Sequence, residues 1–108
     1  MTSPHALTTL DPTDIKALLD QGKAQLIDVR EPHEFEAEKI HGAINLPLSL
    51  IAELPFPDCG TKTPILQCAG GIRSAKAFDL CQQLGHPVAH HMGGGINAWK
   101  AQKLPTTR

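Results

Sequence analysis

Apolar residues along the chain recur in two rhythms, one with helical spacing and one of short continuous runs. In "LDPTDIKALLDQG", Ile15, Leu18 and Leu19 form one stripe, Asp11 suits an N-cap, Pro12 suits the first helical position and Gly22 the C′ position. "AQLIDVRE" is an apolar run that turns charged abruptly, as a buried parallel strand does on leaving its sheet. "EPHEFEAEKIHG" then reads as a short helix or turn opened by Pro32, and "AINLPL" as a second buried strand ended by Pro47. "SLIAELPF" is a short helix ended by Pro55, and "PDCGTKTP" a loop. A third strand, "PILQC", precedes "RSAKAFDLCQQLG", the clearest helix, with Ala75, Phe78, Cys81 and Leu84 on one face and Gly85 ending it. "PVAHHM" is a fourth strand, "GGG" a tight turn, and "INAWKAQ" a last helix with Trp99 on its inner side. Strands alternating with helices predict an α/β fold. The sheet is mostly parallel, of about four to five strands, with helices on both faces of a single domain, 1–108.

Composition removes several function classes. Ten basic against eleven acidic residues give a formal charge of -1, so no nucleic acid and no membrane is expected as a partner. No apolar segment approaches the roughly 20 residues of a membrane span. "MTSPHALTTLDP" lacks the basic and apolar regions of a signal peptide. Three cysteines, Cys59, Cys68 and Cys81, form no C-x-x-C and leave an odd count, which argues against a disulfide framework or structural zinc and for a reducing, cytoplasmic location. The histidines suggest no metal either: His90 and His91 are neighbours on a strand and point to opposite faces, His5 and His86 fall in loops, and His33 and His41 border the "DVRE…HGA" region, where His41 orders a turn. No metal or other cofactor is expected. The glycines at 93–95 lack a phosphate-loop pattern and instead let the chain pass close to the sheet edge.

Candidate chemistry gathers at that edge. Open α/β sheets bind ligands outside the carboxyl ends of their strands, where "DVRE", "CAGGIR" and "MGGG" emerge. In "PILQCAGGIRSAKAF" a thiol sits where a strand hands over to a helix. Gly70 and Gly71 allow the chain to wrap around Cys68 with positive φ, and the helix beginning near Ser74 offers free N–H groups and the positive end of its dipole. Such an anion cup lowers a thiol pKa from about 8.5 to roughly 3.5–7.5. Arg73 adds a forked cation suited to an oxyanion. By contrast, Cys81 reads as a core residue and Cys59 as an exposed loop thiol. Asp28 and Arg30, two apart on a strand, share one side and are expected to brace the cysteine loop. Glu31 and Glu34 read as a solvated helix start.

These segments resemble the single-domain rhodanese-type sulfurtransferases. "CAGGIR" fits that family's C-x-x-G-x-R loop, with four residues between Cys68 and Arg73. "LIDVREPHEFEAEKIHGAINLPL" is similar to its D-x-R-x-x-x-E-[FY]…H-I-x-G-A-x-N segment, Lys39 to Asn45 standing where the family often reads G-H-I-x-G-A-x-N. "MGGGINAWK" resembles its closing G-G-x-x-x-W. The resemblance implies a rhodanese-like fold and ping-pong transfer of a sulfane sulfur through a Cys68 persulfide. It further implies that Ala69, Gly70, Gly71, Ile72 and Arg73 bind the substrate, and that a small donor such as thiosulfate and a thiol acceptor such as glutathione or thioredoxin, or cyanide, are the partners. Two other readings stand beside it: a non-catalytic rhodanese-like sulfur-carrier or protein-binding module, and a phosphatase or arsenate reductase of related fold, whose loop holds five residues between Cys and Arg. Because Arg73 is the sole charge in 68–73, weak activity with thiosulfate is also expected.

Overall fold

Five parallel strands form the centre of the chain in a computed structural model, which describes residues 6–108. The expected loop position of His5, and the opening "MTSPH" of the stretch read for a leader, lie outside the described residues. Strands β1 (Thr8–Leu10), β2 (Ala24–Asp28), β3 (Ile44–Asn45), β4 (Thr63–Gln67) and β5 (His90–Met92) stand in the order β1-β5-β4-β2-β3. Between them run α1 (Pro12–Asp20), α2 (Pro32–Ala37), a 3-10 turn at Leu48–Leu50 and α3 (Ile72–Leu84), with α4 (Gly95–Ala101) after β5.

Alternation along the strands sorts the core into two layers. Ile27, Val29, Leu66 and Cys68 pack with Ala77, Phe78 and Cys81 of α3. Leu26, Ile65 and Met92 pack with Ile15 of α1 and with Ile96 and Trp99 of α4. Helices therefore cover both faces, each fully buried aliphatic or aromatic side chain contributing about 1.5–3 kcal/mol. Register fixes the functional edge. Asp28 lies opposite both Gln67 and Asn45, and Leu66 opposite His91, so β2, β4 and β5 release their following loops at one end of the sheet.

Caps set the helix boundaries where the sequence places them. The Asp11 carboxylate accepts from Thr13 N at 3.1 Å, and Gly22 and Gly85 follow α1 and α3 in the left-handed region, φ +69° and +77°.

Four features depart from expectation. Thr8–Leu10, of which the pattern places only Leu10, at the opening of the first helical segment, forms edge strand β1 against β5. The second strand shrinks to Ile44–Asn45 at the opposite edge, with Ile44 exposed, although Leu46 N and Leu48 N still donate to Asp28 O and Val29 O. "SLIAELPF" reaches only one 3-10 turn. On α3 the buried stripe is Ser74, Ala77, Phe78 and Cys81, leaving Leu84 exposed and Ala75 half-buried. The helix begins at Ile72, just ahead of the expected "RSAKAF" start, and a buried serine belongs to its inward face.

Candidate functional site

Cys68 is the first residue beyond β4, and its side chain is buried. The sulfur lies 3.0 Å from Gly71 N and 3.3 Å from Ser74 N, so two amides at the start of α3 donate to it. Gly71 produces this arrangement. As N-cap it takes φ +101°, and a Cβ there would meet Gly94 N at 3.3 Å. Gly70 has no such φ, so the left-handed step falls on one glycine. Being 13 residues long, α3 also directs the positive end of its dipole at the sulfur.

The loop carbonyls are turned the other way. Ile96 N donates to Cys68 O at 2.8 Å and Asn97 N to Ala69 O at 3.0 Å, both from the first turn of α4. A Cβ on Gly95 would sit 2.3 Å from Cys68 O, so the two chains meet with no room for a side chain. Gln67 Nε2 donates to the same carbonyl at 3.1 Å. Helix α3 thus presents N–H groups to the sulfur while α4 withdraws the nearby C=O dipoles. The expected convergence of "CAGGIR" with "MGGG" is realised as this junction.

Arg73 is not a free cation. Its Nη1 and Nη2 donate to the two carboxylate oxygens of Glu34 at 2.6 and 2.9 Å. That bidentate bond holds the Glu34 carboxyl down to about 2, assisted by the Glu31 amide. Glu34 is thereby corrected: it is no solvated helix start but the residue that ties α2 to the cysteine loop. Its partner Glu31 also leaves the solvent reading, because the Ser49 hydroxyl donates to it at 2.6 Å. Among residues 69–73, only Gly71 points an amide at the sulfur; Ala69, Gly70, Ile72 and Arg73 shape the rim, with Ile72 strongly exposed.

Asp28 and Arg30 form a buried pair, Nε donating to Oδ1 at 3.0 Å and Nη2 to Oδ2 at 2.7 Å. Arg30 Nη2 also donates to Glu38 O at 2.7 Å, and Asn45 Nδ2 donates to the carbonyls of Asp28 and Arg30. Neither charged side chain hydrogen-bonds to residues 68–73. Their effect reaches the loop through α2, whose carboxyl end they hold and whose Glu34 holds Arg73. Breaking a buried pair of this kind costs about 3–5 kcal/mol, so both are structural pillars of the edge.

Three residues of the site escaped the sequence reading: Glu34, Ser74 and His91. Ser74 Oγ stands 3.6 Å from the Cys68 sulfur and 2.7 Å from His91 Nδ1. Ser74 follows Arg73 directly, which is a local signal. His91 carries only the alternation of β5, which sends it to the face opposite His90. The other thiols are placed differently. Cys81 lies wholly in the apolar layer, where burial pushes its pKa up to about 11. Cys59 is half-buried in its loop, its pKa raised by burial and by Asp58. A cavity of about 570 Å³, lined by residues including Lys62, Gln82, His86 and His90, lies at the amino ends of β4 and β5, at the end of the sheet away from Cys68.

Known proteins share this architecture. The model of the rhodanese-like domain matches residues 11–102. An uncharacterized Synechocystis protein, slr1261, is 36% identical over 106 residues, which cover 98% of this chain and 59% of that one. The probable adenylyltransferase/sulfurtransferase MoeZ of Mycobacterium tuberculosis is 39% identical over 105 residues, 91% of this chain but only 26% of MoeZ. The chain therefore spans less than two thirds of either relative. The crystal structure of a rhodanese-related protein from Thermoplasma volcanium superposes with a TM-score of 0.77 at 29% identity, covering 93% of this chain and 97% of that one. With a parallel five-stranded sheet, a cysteine cupped at the end of β4 and these matches, the chain belongs to the rhodanese-like domain family.

Proposed function

We propose that the chain, as one rhodanese-like domain over 1–108, is a cytoplasmic sulfurtransferase that carries a sulfane sulfur on Cys68. The observation that supports this reading best is the seat of the Cys68 sulfur on two first-turn amides, Gly71 N and Ser74 N. Donors so placed favour an anion over a neutral thiol, and they serve the persulfide anion in the same way. In the first half-reaction the Cys68 thiolate attacks the outer sulfur of the donor. A new S–S bond forms, and the donor's own S–S bond breaks, its electron pair leaving with sulfite or with a thiolate. In the second, an acceptor thiolate or cyanide attacks the outer sulfur and the Cys68 thiolate departs. Thiosulfate is one donor of the right class, and a thiol such as glutathione or thioredoxin the acceptor. The Arg73–Glu34 pair bears on donor choice: a dianion has to compete with a carboxylate for the guanidinium. Donors with less charge than thiosulfate are accordingly favoured.

Intact-mass spectrometry after incubation with thiosulfate and with a polysulfide tests the proposal. The expected result is a gain of one sulfur, removed by cyanide or dithiothreitol. No gain with any sulfane donor would support the binding module instead, and release of phosphate from an aryl phosphate would support the phosphatase.

A further inference from the structure

The polar contacts behind Cys68 continue past Ser74. From Ser74 Oγ the chain passes to His91 Nδ1 at 2.7 Å, and from His91 Nε2 to Thr9 Oγ1 at 3.0 Å. Three elements are joined, α3, β5 and β1, and both Ser74 and His91 are buried. A buried imidazole with a partner on each nitrogen has its hydrogens dictated by those partners, and they can be counted.

Ser74 Oγ owns one hydrogen and two acceptor positions. It meets Gly71 O at 3.1 Å, His91 Nδ1 at 2.7 Å and the Cys68 sulfur at 3.6 Å. Were Nδ1 bare, it would claim the only hydroxyl hydrogen, leaving none for Gly71 O or the sulfur. With a hydrogen on Nδ1 the conflict disappears. Nδ1–H donates to Ser74 Oγ, Nε2 accepts the Thr9 hydroxyl, and the Ser74 hydrogen is released to serve either Gly71 O or the sulfur. While Cys68 is a thiol its S–H points at Ser74 Oγ and the hydroxyl serves Gly71 O. Once Cys68 is a thiolate it has no hydrogen to give, and the hydroxyl turns to it.

We propose that His91 is a positioning residue: as the Nδ1–H tautomer it occupies an acceptor position of Ser74 and frees the Ser74 hydroxyl to become the third donor to the Cys68 thiolate. Burial lowers the His91 pKa, which keeps the ring neutral, and a neutral ring has a single hydrogen to place. The charged groups around the sulfur do not supply the same effect. Arg73 on α3 is paired with Glu34 of α2, Asp28 at the end of β2 with Arg30, and the first turn of α4 offers Gly95, Ile96 and Asn97, none of which titrates. The inference rests on Cys68 being an ionised nucleophile and is independent of which donor loads it.

The test is the pH dependence of iodoacetamide alkylation at Cys68, followed on the Cys68 peptide by mass spectrometry so that Cys59 and Cys81 do not interfere. Hydrogen bonds to charged groups are worth about 1.5–3 kcal/mol, so His91→Leu and Ser74→Ala should each slow alkylation at pH 6 about tenfold, with rates converging at high pH. The double variant should be no slower than Ser74→Ala alone, because both changes remove one donor. His91→Asn, whose side-chain N–H can replace Nδ1–H, should restore most of the low-pH rate, and Thr9→Val should cost less than His91→Leu. A folded His91→Leu protein with the wild-type pH profile would overturn the proposal, as would His91→Asn behaving like His91→Leu. If His91→Leu does not fold, the comparison of Ser74→Ala with His91→Asn decides. Sulfur loading is measured separately: wild-type protein that alkylates as described but takes up no sulfur would refute the proposed function and leave the role of His91 standing.

Discussion

Cys68 and Cys81 stand near opposite ends of the same stretch of chain, belong to the same apolar layer and are both all but sealed from solvent. Their surroundings are nevertheless opposite. Around Cys81 the neighbours are hydrocarbon, and the thiol is pushed up to about 11. Around Cys68 the helix has only just begun, so its amides have no carbonyl four residues back to bind and turn to the sulfur instead. Burial therefore does not decide which groups meet a thiol in this protein. Position along the helix does: within the third turn every N–H is spent, and at the first turn they are free.

The broadest break of that contrast is Cys68→Ser, which should abolish sulfur loading, a loss of at least about a thousandfold, with an unchanged melting curve. Turnover equal to wild type would remove Cys68 from the mechanism. Arg73→Ala comes next. It should lower thiosulfate turnover about ten- to a hundredfold and polysulfide turnover less, and equal losses would show that Arg73 does not act on an oxyanion. Gly71→Ala forces a side chain into φ +101° against Gly94. It should cost about 1–3 kcal/mol in stability and slow Cys68 alkylation at pH 6. Unchanged alkylation in that variant would mean that the cup does not govern reactivity.

Cys81→Ser sharpens the comparison from the other side. Burying a hydroxyl among hydrocarbon should cost about 1–3 kcal/mol by denaturant titration while leaving Cys68 alkylation unaltered. Native Cys81 alkylating as fast as Cys68 would erase the distinction. The smallest effect belongs to Glu34→Gln. A depressed carboxyl contributes stability in full above 4.5, and that contribution is lost as pH falls toward about 2. The variant should therefore lose stability less steeply than wild type across that window, by a modest amount because the pair is partly exposed. Parallel curves would deny the Arg73–Glu34 bond any energetic role.

Much of this was legible because it is local. Asp11 with Pro12, the abrupt charge after β2, and the glycines ending α1 and α3 act within a few residues, and the structure places each as the pattern implies. Cys68 at a strand-to-helix junction is equally local. What escaped is long-range. Glu34 and Arg73 are 39 positions apart and His91 and Ser74 are 17 apart, so no spacing rule joins them. Thr8–Leu10 looks polar because an edge strand has one neighbour, and only β5, some 80 residues later, makes it a strand. Ser74 facing inward on α3 was missed for a different reason. An apolar-face count ranks serine as surface, whereas here it is buried by its hydrogen bonds to Gly71 O and His91.

The contact at Gly95 makes the seat of the Cys68 sulfur a product of two distant chain segments acting as one mechanical joint. Should residues 95–101 unwind, the oxygens of Cys68 and Ala69 would lose their latches and swing back, setting negative poles beside the sulfur and opposing the anion proposed there. Fraying of the final helix, whether through heat, proteolysis or a side chain at Gly95, would then silence the thiol before the sheet itself gives way.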